Sequence, residues 1–330
     1  MKTLLYKGLN SLVQVCCADL TRQYFKLEQY DADRVYDPAD VLLVIPFFGA
    51  DNWAFDLQAQ GFRVVVDNLW EPTSRYLASP GYDRLDPART YEMQSDLWFW
   101  YYESCRFSYH RARNQSPEYI PHRTYKKLAL MPMRLHRFHR DQLLEAMQPW
   151  LDDFYYSYQA RGVSLPWDLP YEEPTAQRYY DARWYDDTWF SIVAESYVDG
   201  YNTTTWGENR TPYLGPWPFI TEKTFKPIAL QHPFMVYGHS NTLSRLRDLG
   251  FETFPEMFDE SYDLSRGNPT TKLNILKNNV ANFDRSASGY SPLTLDKLTH
   301  NHQLFFDSQR VEQGFYRNII EPLLAYAEST

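Results

Sequence analysis

The chain has few cysteines, no long apolar run and no excess of positive charge. Three cysteines, Cys16, Cys17 and Cys105, stand in 330 residues. Their spacing matches no metal-ligand pattern, and the adjacent pair is poorly suited to a mutual disulfide. An odd, low count excludes a disulfide framework and points to a reducing compartment. No segment reaches the roughly 18–20 uninterrupted apolar residues that span a bilayer. The opening stretch, residues 1–8, carries basic residues but neither a long apolar core nor a small-residue cleavage site, so it does not read as a signal peptide. A cytoplasmic protein is expected, with peripheral membrane contact left open. The net charge is −9. That argues against a broad phosphate-backbone footprint, although a local basic cleft stays compatible with it. Internal repeats and low-complexity tracts are absent as well.

What is present is apolar and aromatic. Hydrophobic residues make up 44% and aromatic residues 17%, enough to build real cores in a chain long enough for two domains. Most of the rings are expected in those cores. Flat rings beside polar groups also suit stacking on sugars or bases.

The clearest α/β unit lies at 39–71. Residues 40–46 form a near-continuous apolar run, as in a parallel strand covered on both faces. A helix over 51–60 is closed by Gly61, and 62–66 is the next strand. It ends in Asp67-Asn-Leu-Trp-Glu71. Ligands of open α/β sheets gather beyond the carboxyl ends of strands, so Asp67 and Glu71 are candidates for acceptor binding or proton abstraction. The alternative is that Asp67-Asn68 only turns the chain. Residues 91–112 read as a largely buried aromatic helix, with a strand as the competing reading.

A third strand, 127–131, leads into Arg134-Leu-His-Arg137-Phe-His-Arg140 and a helix over about 141–150. Three Arg and two His in seven residues point to an anion site at a helix start, or to a solvated basic loop. Strands are expected next at 154–158 and 189–195. Asp31-Ala-Asp33 has the Asp-x-Asp form of a metal signature but sits in loop-like sequence, and Asp186-Asp187 makes a poor metal argument. No metal site is expected.

The most informative segment runs from Phe219-Ile-Thr-Glu-Lys223 through Gly238. Thr221 suits an N-cap, with Glu222 and Lys223 in the first turn. Phe225, Ile228 and Ala229 fall on one helical face. Phe234-Met-Val-Tyr237, fenced by Pro233 and Gly238, reads as a buried strand. The free N–H groups and positive dipole end of such a helix suit a diphosphate. Lys223 adds a point charge, and Glu222 can accept from ribose hydroxyls. Thr-Glu-Lys at a helix start is also ordinary capping chemistry. Residues 197–218 read as a Gly- and Pro-containing loop beside this helix, offering Tyr197, Asn202 and Trp206. Beyond Gly238 a helix over 243–249 closed by Gly250, a short strand over 251–254 and two or three amphipathic helices from 270 are expected.

Phe-x-Thr-Glu-Lys, an apolar helix and then Pro-Phe-x-x-x-Gly resembles the nucleotide-sugar motif of the fucosyltransferase-like glycosyltransferases, with a looser likeness to the exostosin-type enzymes. Phe190-Ser-Ile-Val-Ala-Glu195-Ser196 is similar to their Phe-x-Phe-Glu-Asn-Ser strand, with Ser196 in place of Asn. Arg140 and the apolar residues at 143, 144 and 147 resemble their Arg-x-x-Φ-Φ-x-x-Leu helix, with Met147 in place of Leu. The resemblance is specific over 187–265, thinner over 126–158 and rests on pattern alone over 1–122.

It implies an α/β protein with two Rossmann-like domains facing a cleft, the GT-B plan. The expected domains are an acceptor domain over 1–122, a nucleotide-sugar domain over 123–300, and a C-terminal helical segment over 301–330 that returns to the first. It also implies transfer of one sugar from a nucleotide-diphosphate donor to a hydroxyl acceptor, with no metal or other cofactor. Arg137, Arg140, Glu195, Phe219, Thr221, Glu222 and Lys223 would bind the donor; if the transfer inverts the anomeric centre Glu71 or Asp67 would serve as base, and if it retains no base is required. Three alternatives remain: a sugar transferase acting on modified DNA bases, the one role that would make nucleic acid a partner; a non-catalytic nucleotide- or carbohydrate-binding module; and a non-sugar nucleotide enzyme of similar fold.

Overall fold

The structure is a computed structural model of the chain. It describes residues 1–7, 15–46, 52–67, 69, 84–93, 95, 97–112, 120–167, 181–199 and 218–329. In chain order the elements are β1 (Thr3–Tyr6), α1 (Val15–Arg22), β2 (Lys26–Gln29), β3 (Val41–Pro46), α2 (Asn52–Ala59), β4 (Arg63–Asp67), β5 (Thr90–Met93), α3 (Trp98–Ala112), β6 (Lys127–Met133), α4 (Phe138–Met147), β7 (Phe154–Tyr158), α5 (Ala182–Asp186), β8 (Thr188–Ala194), α6 (Glu222–Ala229), β9 (Phe234–Tyr237), α7 (Thr242–Asp248), α8 (Pro269–Ala281), α9 (Pro292–Phe305), α10 (Ser308–Phe315) and α11 (Glu321–Glu328).

The chain is α/β and divides into two compact units. The described residues of 1–116 and 307–329 make the first, and those of 117–212 and 216–306 the second. The divisions therefore fall near 116 and 306, against expected boundaries at 122 and 300. Among the described residues no helix is long and apolar enough to cross a membrane.

The first unit is built on a five-stranded parallel sheet in the order β2-β1-β3-β4-β5. Its central strands are continuously apolar because both faces are covered. Leu43 and Val64 are adjacent in register and both fully buried. Gly61, at φ 103°, ends α2 in the left-handed region that glycine adopts without steric cost. The aromatic stretch at 98–112 is a helix, with Trp98 and Tyr101 buried. Glu103 and Arg106 are also buried on it and pair with each other, so neither charge is left uncompensated. α10 passes through a π-turn, Tyr316–Ile320, into α11. This segment packs on the same unit: Tyr326 stacks on Tyr91 at 5.2 Å, and Arg63 lies over the Tyr326 ring.

The second unit carries a four-stranded parallel sheet in the order β7-β6-β8-β9. All seven residues of β8 are buried. β6 leads through α4 to β7 on one side, while β8 lies on its other side. The strand order reverses there, and the space beyond the carboxyl ends of β6 and β8 is a topological switch point, where open α/β sheets hold ligands.

Two expectations are corrected in this unit, and one acidic pair receives a structural account. α4 begins at Phe138, not near 141, because the chain enters it from Arg137 in extended geometry (φ −151°, ψ 141°). Residues 251–254 form no strand. The Glu252 N–H donates to Asn301 and the Phe254 N–H to Glu260, so side chains take the place of a sheet neighbour. Asp187, in the acidic pair at 186–187, is bound by Thr124, Lys126 and Tyr155. It sits at the amino end of β8, away from the switch point.

Candidate functional site

The site residues of the second unit are placed by strand direction. Every strand of its sheet points the same way, so the segments after β6, β8 and β9 emerge on one edge. Residues 134–140 come after β6, 195–199 after β8 and 238–240 after β9. The N-terminus of α6 lies on the same edge, because α6 feeds β9 from there.

Glu195 is the centre of this edge and is fully buried. Its Oε1 accepts from the Thr221 N–H at 2.9 Å and the Thr224 hydroxyl at 2.7 Å. Its Oε2 accepts from the Thr221 hydroxyl at 2.6 Å and the Ser196 N–H at 3.2 Å. A carboxylate offers about four lone-pair positions, and all four are taken. The resemblance assigns Glu195 a donor contact. Instead the structure turns it wholly onto the first turn of α6. Gly238 makes room for it: a Cβ there would stand 3.1 Å from Glu195 Cβ and 3.2 Å from its Cγ.

The α4 side grips the backbone of the same residue. His139 Nε2 donates to the Glu195 carbonyl at 2.9 Å. Arg140 spends its terminal nitrogens on carbonyls, at 2.9 Å from Leu135, 3.3 Å from Ala194 and 3.5 Å from Glu195. Its Nε is buried with no hydrogen-bond partner among the described residues. The resemblance has Arg140 reach a diphosphate directly. It is 2% exposed, so its charge acts from beneath the surface. Burial, and after it the neighbouring Arg137 charge, lowers its pKa to about 10, against the opposing pull of Glu195, Tyr158 and Glu222. Burial and the charges of Arg140, Arg137 and Lys223 hold His139 down to about 3, against a raising hydrogen bond to Glu195. His139 is therefore a neutral imidazole, and its Nδ1 has no partner among the described residues.

Arg137 stands at the N-cap of α4 and is buried, with its guanidinium 5.7 Å from the centre of the Tyr197 ring. Tyr158 fixes that cap. Its hydroxyl receives the Arg137 N–H at 3.3 Å and donates to Asp141 at 2.9 Å.

On α6, Thr221 is the N-cap, and its Oγ1 accepts from the Lys223 N–H at 3.4 Å and from Lys223 Nζ at 3.0 Å. Lys223 Nζ also donates to Ser196 Oγ at 3.3 Å and to Glu222 Oε1 at 2.9 Å. The side chains of Lys223 and Glu222 keep 27% and 30% of their surface, which makes them the solvent-facing members of the cluster. Burial pushes the Glu222 carboxyl up, but the Lys223 and Lys226 charges outweigh it and hold it at about 2. Phe219 is buried edge-on to Tyr197 at 5.3 Å, and its N–H donates to His239 Nδ1 at 3.1 Å.

Arg137, Arg140, Glu195, Phe219, Thr221, Glu222 and Lys223 are thus brought to one edge of one sheet. Asp67 lies in the other unit. It is 3% exposed, and its Oδ1 accepts from the Leu69 N–H at 3.4 Å. That is the chain-turning role, and the geometry does not offer Asp67 to an acceptor. Glu71, Asn202 and Trp206 lie outside the described residues. Asp31 and Asp33 form an exposed turn in which the Asp33 N–H donates to Asp31 Oδ1 at 3.0 Å. Among the described residues no group of three or more His, Cys, Asp or Glu side chains is arranged to hold a metal.

Sequence reasoning missed a second cluster on this edge. Lys272, from α8, is 1% exposed and donates to the Gly238 carbonyl at 2.6 Å, with its ammonium 3.8 Å from Asp199. Asp199 accepts the Ser240 N–H at 2.5 Å. Burial, and then Lys272, lower the His239 pKa to about 4, against the pull of Asp199. The position of His239 and Ser240 directly after β9 was a usable signal. Lys272, one lysine in an ordinary amphipathic helix, gave none.

No protein-family model matches the chain, and no curated protein matches it.

Proposed function

We propose that the protein is a glycosyltransferase of the GT-B type that moves one sugar from a nucleotide-diphosphate donor to a hydroxyl acceptor. The observation that carries this reading is that Arg137 and Arg140, at the start of α4, and Lys223, at the start of α6, lie on one edge of one sheet at the strand switch point. It is joined by the resemblance of the Thr221-Glu-Lys223 segment to a nucleotide-sugar motif.

The leaving group of such a transfer is a nucleoside diphosphate whose negative charge grows as the glycosidic bond breaks. Preorganised cations and helix dipoles aimed at that charge are the source of rate. Lys223 meets the diphosphate directly, with Arg137 beside it. Arg140 contributes its field from below, where low polarisability strengthens it. Glu222, an ionised acceptor on the same turn, holds the ribose hydroxyls. An inverting transfer would also need a carboxylate to take the acceptor proton; Asp67 is buried and occupied, and Glu71 is the other candidate that the sequence offers. No metal or other cofactor is assigned a role.

A thermal-shift and hydrolysis screen against UDP-, GDP-, ADP-, CMP- and dTDP-sugars tests the reading. One nucleotide class should raise Tm and release sugar. Binding without release or transfer would assign the chain to nucleotide-binding modules. Salt-sensitive retention on DNA would move the acceptor to nucleic acid. No response to any donor would reject the proposal.

A further inference from the structure

The hydrogen-bond accounting around Thr221 leaves no freedom. A threonine hydroxyl has one proton and two lone pairs. The proton goes to Glu195 Oε2 at 2.6 Å. The lone pairs receive the Lys223 Nζ at 3.0 Å and the Lys223 N–H at 3.4 Å. The direction of the first bond therefore fixes the other two. If the Thr221 proton were not drawn to Glu195, it would occupy one of the positions where lysine now donates.

The carboxylate is equally committed. Its four acceptor positions face four donors: two hydroxyls from α6 and two backbone N–H groups. Its backbone is held as well, because His139 and Arg140 bind its carbonyl from α4, and the space beside its Cβ and Cγ at residue 238 admits no side chain larger than glycine's hydrogen without a shift. Glu195 therefore touches the start of both helices while exposing none of its own surface.

We infer that Glu195 is a positioning residue for Lys223, acting through the hydroxyl of Thr221. The ammonium is aimed by a buried carboxylate two bonds of the network away, and its 2.9 Å contact with Glu222 is the outer half of the same arrangement. The functional meaning of this aim rests on the donor reading above, but the aim itself is a property of the free protein.

Glu195→Gln isolates it. An amide in place of Oε2 puts N–H groups opposite the Thr221 hydroxyl, which must then accept rather than donate. Its own proton swings toward the lysine, and the ammonium loses that contact while keeping those to Ser196 and Glu222. Thr221→Val removes the relay without touching Glu195. Thr224→Val is the control, since it deletes a neighbouring Glu195 bond of similar length that does not lead to Lys223.

The readout is the 13Cε–15Nζ NMR signal of Lys223 in lysine-labelled protein, assigned by its loss in Lys223→Arg. In the wild type it should lie apart from the signals of hydrated lysines. It should move toward them in Glu195→Gln and Thr221→Val, yet stay in place in Thr224→Val although that variant also lowers Tm. A signal unchanged in both Glu195→Gln and Thr221→Val, or displaced equally in Thr224→Val, would overturn the inference. Should Glu195→Gln fail to fold, Thr221→Val against Thr224→Val decides it alone. Titration with inorganic pyrophosphate separates the two ideas. A wild type that binds none counts against the donor reading, while the lysine signal still reports on Glu195.

Discussion

His139 donates its Nε2 proton to the carbonyl oxygen of Glu195 at 2.9 Å, with the imidazole fully buried beside two guanidinium groups. One nitrogen is thereby fixed as the donor, and protonating the other places a charge among like charges. His139 at about 3 and His239 at about 4 both lie below the ordinary value of 6.5, first through burial. His232 is likewise held well below it by burial and Arg123. A depressed histidine stabilises the native state above its unfolded pKa and loses that contribution as pH falls. Each should cost about 1.4 kcal/mol per pH unit below 6.5. Urea midpoints measured from pH 7 to 5 should fall, with proton uptake on unfolding, and His139→Gln should reduce the slope. A flat profile would show that these rings are not neutral in the folded protein.

Lys223→Ala should weaken donor binding or turnover by at least about tenfold, the equivalent of a charge-assisted contact worth roughly 1.5–3 kcal/mol. Tm should change little, because the side chain is partly exposed. Isothermal titration beside a thermal melt checks both halves. Undiminished kinetics would remove Lys223 from the site.

Arg140→Ala should fail differently. It removes donors from the carbonyls of Leu135, Ala194 and Glu195; Glu195 keeps the bond from His139, and each buried acceptor left bare costs about 1–3 kcal/mol. A lower Tm should accompany at least about a tenfold loss of donor affinity, a loss worth about 1.4 kcal/mol. Arg140→Lys should restore some stability and less of the affinity, since one ammonium cannot span three carbonyls.

Gly238→Ala tests the pressure on Glu195 from β9. The added methyl meets Glu195 and the Val236 side chain at 3.1 Å, so neighbours must yield by tenths of an ångström. Stability should drop by about 1–3 kcal/mol, and the Lys223 signal should shift with it. A silent substitution would mean that the β8 and β9 ends relax more easily than their packing implies.

Gly314→Ala probes the first unit alone. A Cβ at this helical position would stand 2.5 Å from Tyr101 Oη and 2.9 Å from two ring carbons. Alanine gains about 1 kcal/mol in helix propensity, but the buried tyrosine cannot retreat and overpacking costs about 1–3 kcal/mol. A net loss of Tm is expected, partly relieved by Tyr101→Phe. A gain would show that the ring has room to move.

The legible parts of the fold were those where one physical signal acts alone. β3 and β9 are apolar throughout, and β4 through its three central valines, because both faces are covered, and α6 announces itself by its cap and its apolar face. Four-residue strands such as β2, Lys26–Gln29, with no fully buried position, carry no such pattern. They exist because a neighbouring strand offers a ladder. Phe251 and Phe254 mislead in the opposite sense. They look like strand residues because they are buried rings, at 1% and 0% exposure, but they pack on Phe225 and Phe234, while the Phe251 N–H donates to the Leu246 carbonyl and the Phe254 N–H to the Glu260 carboxylate. At the site, the pattern of residues groups the right side chains but cannot distribute their work. Whether a glutamate or an arginine meets solvent or a carbonyl depends on burial set by distant segments, and so Glu195 and Arg140 look like ligand contacts until their surroundings are known.

The first unit draws on both arms of the chain, since Tyr326 stacks on Tyr91 and its hydroxyl donates to the Val64 carbonyl at 3.4 Å. The segments of the second unit all emerge from a ribosome before residue 307 does. During synthesis the basic edge can therefore assemble while the five-stranded sheet still waits for its last helices, and a chain cut short before them would keep the cation cluster but leave Arg63 and Tyr91 without their cover.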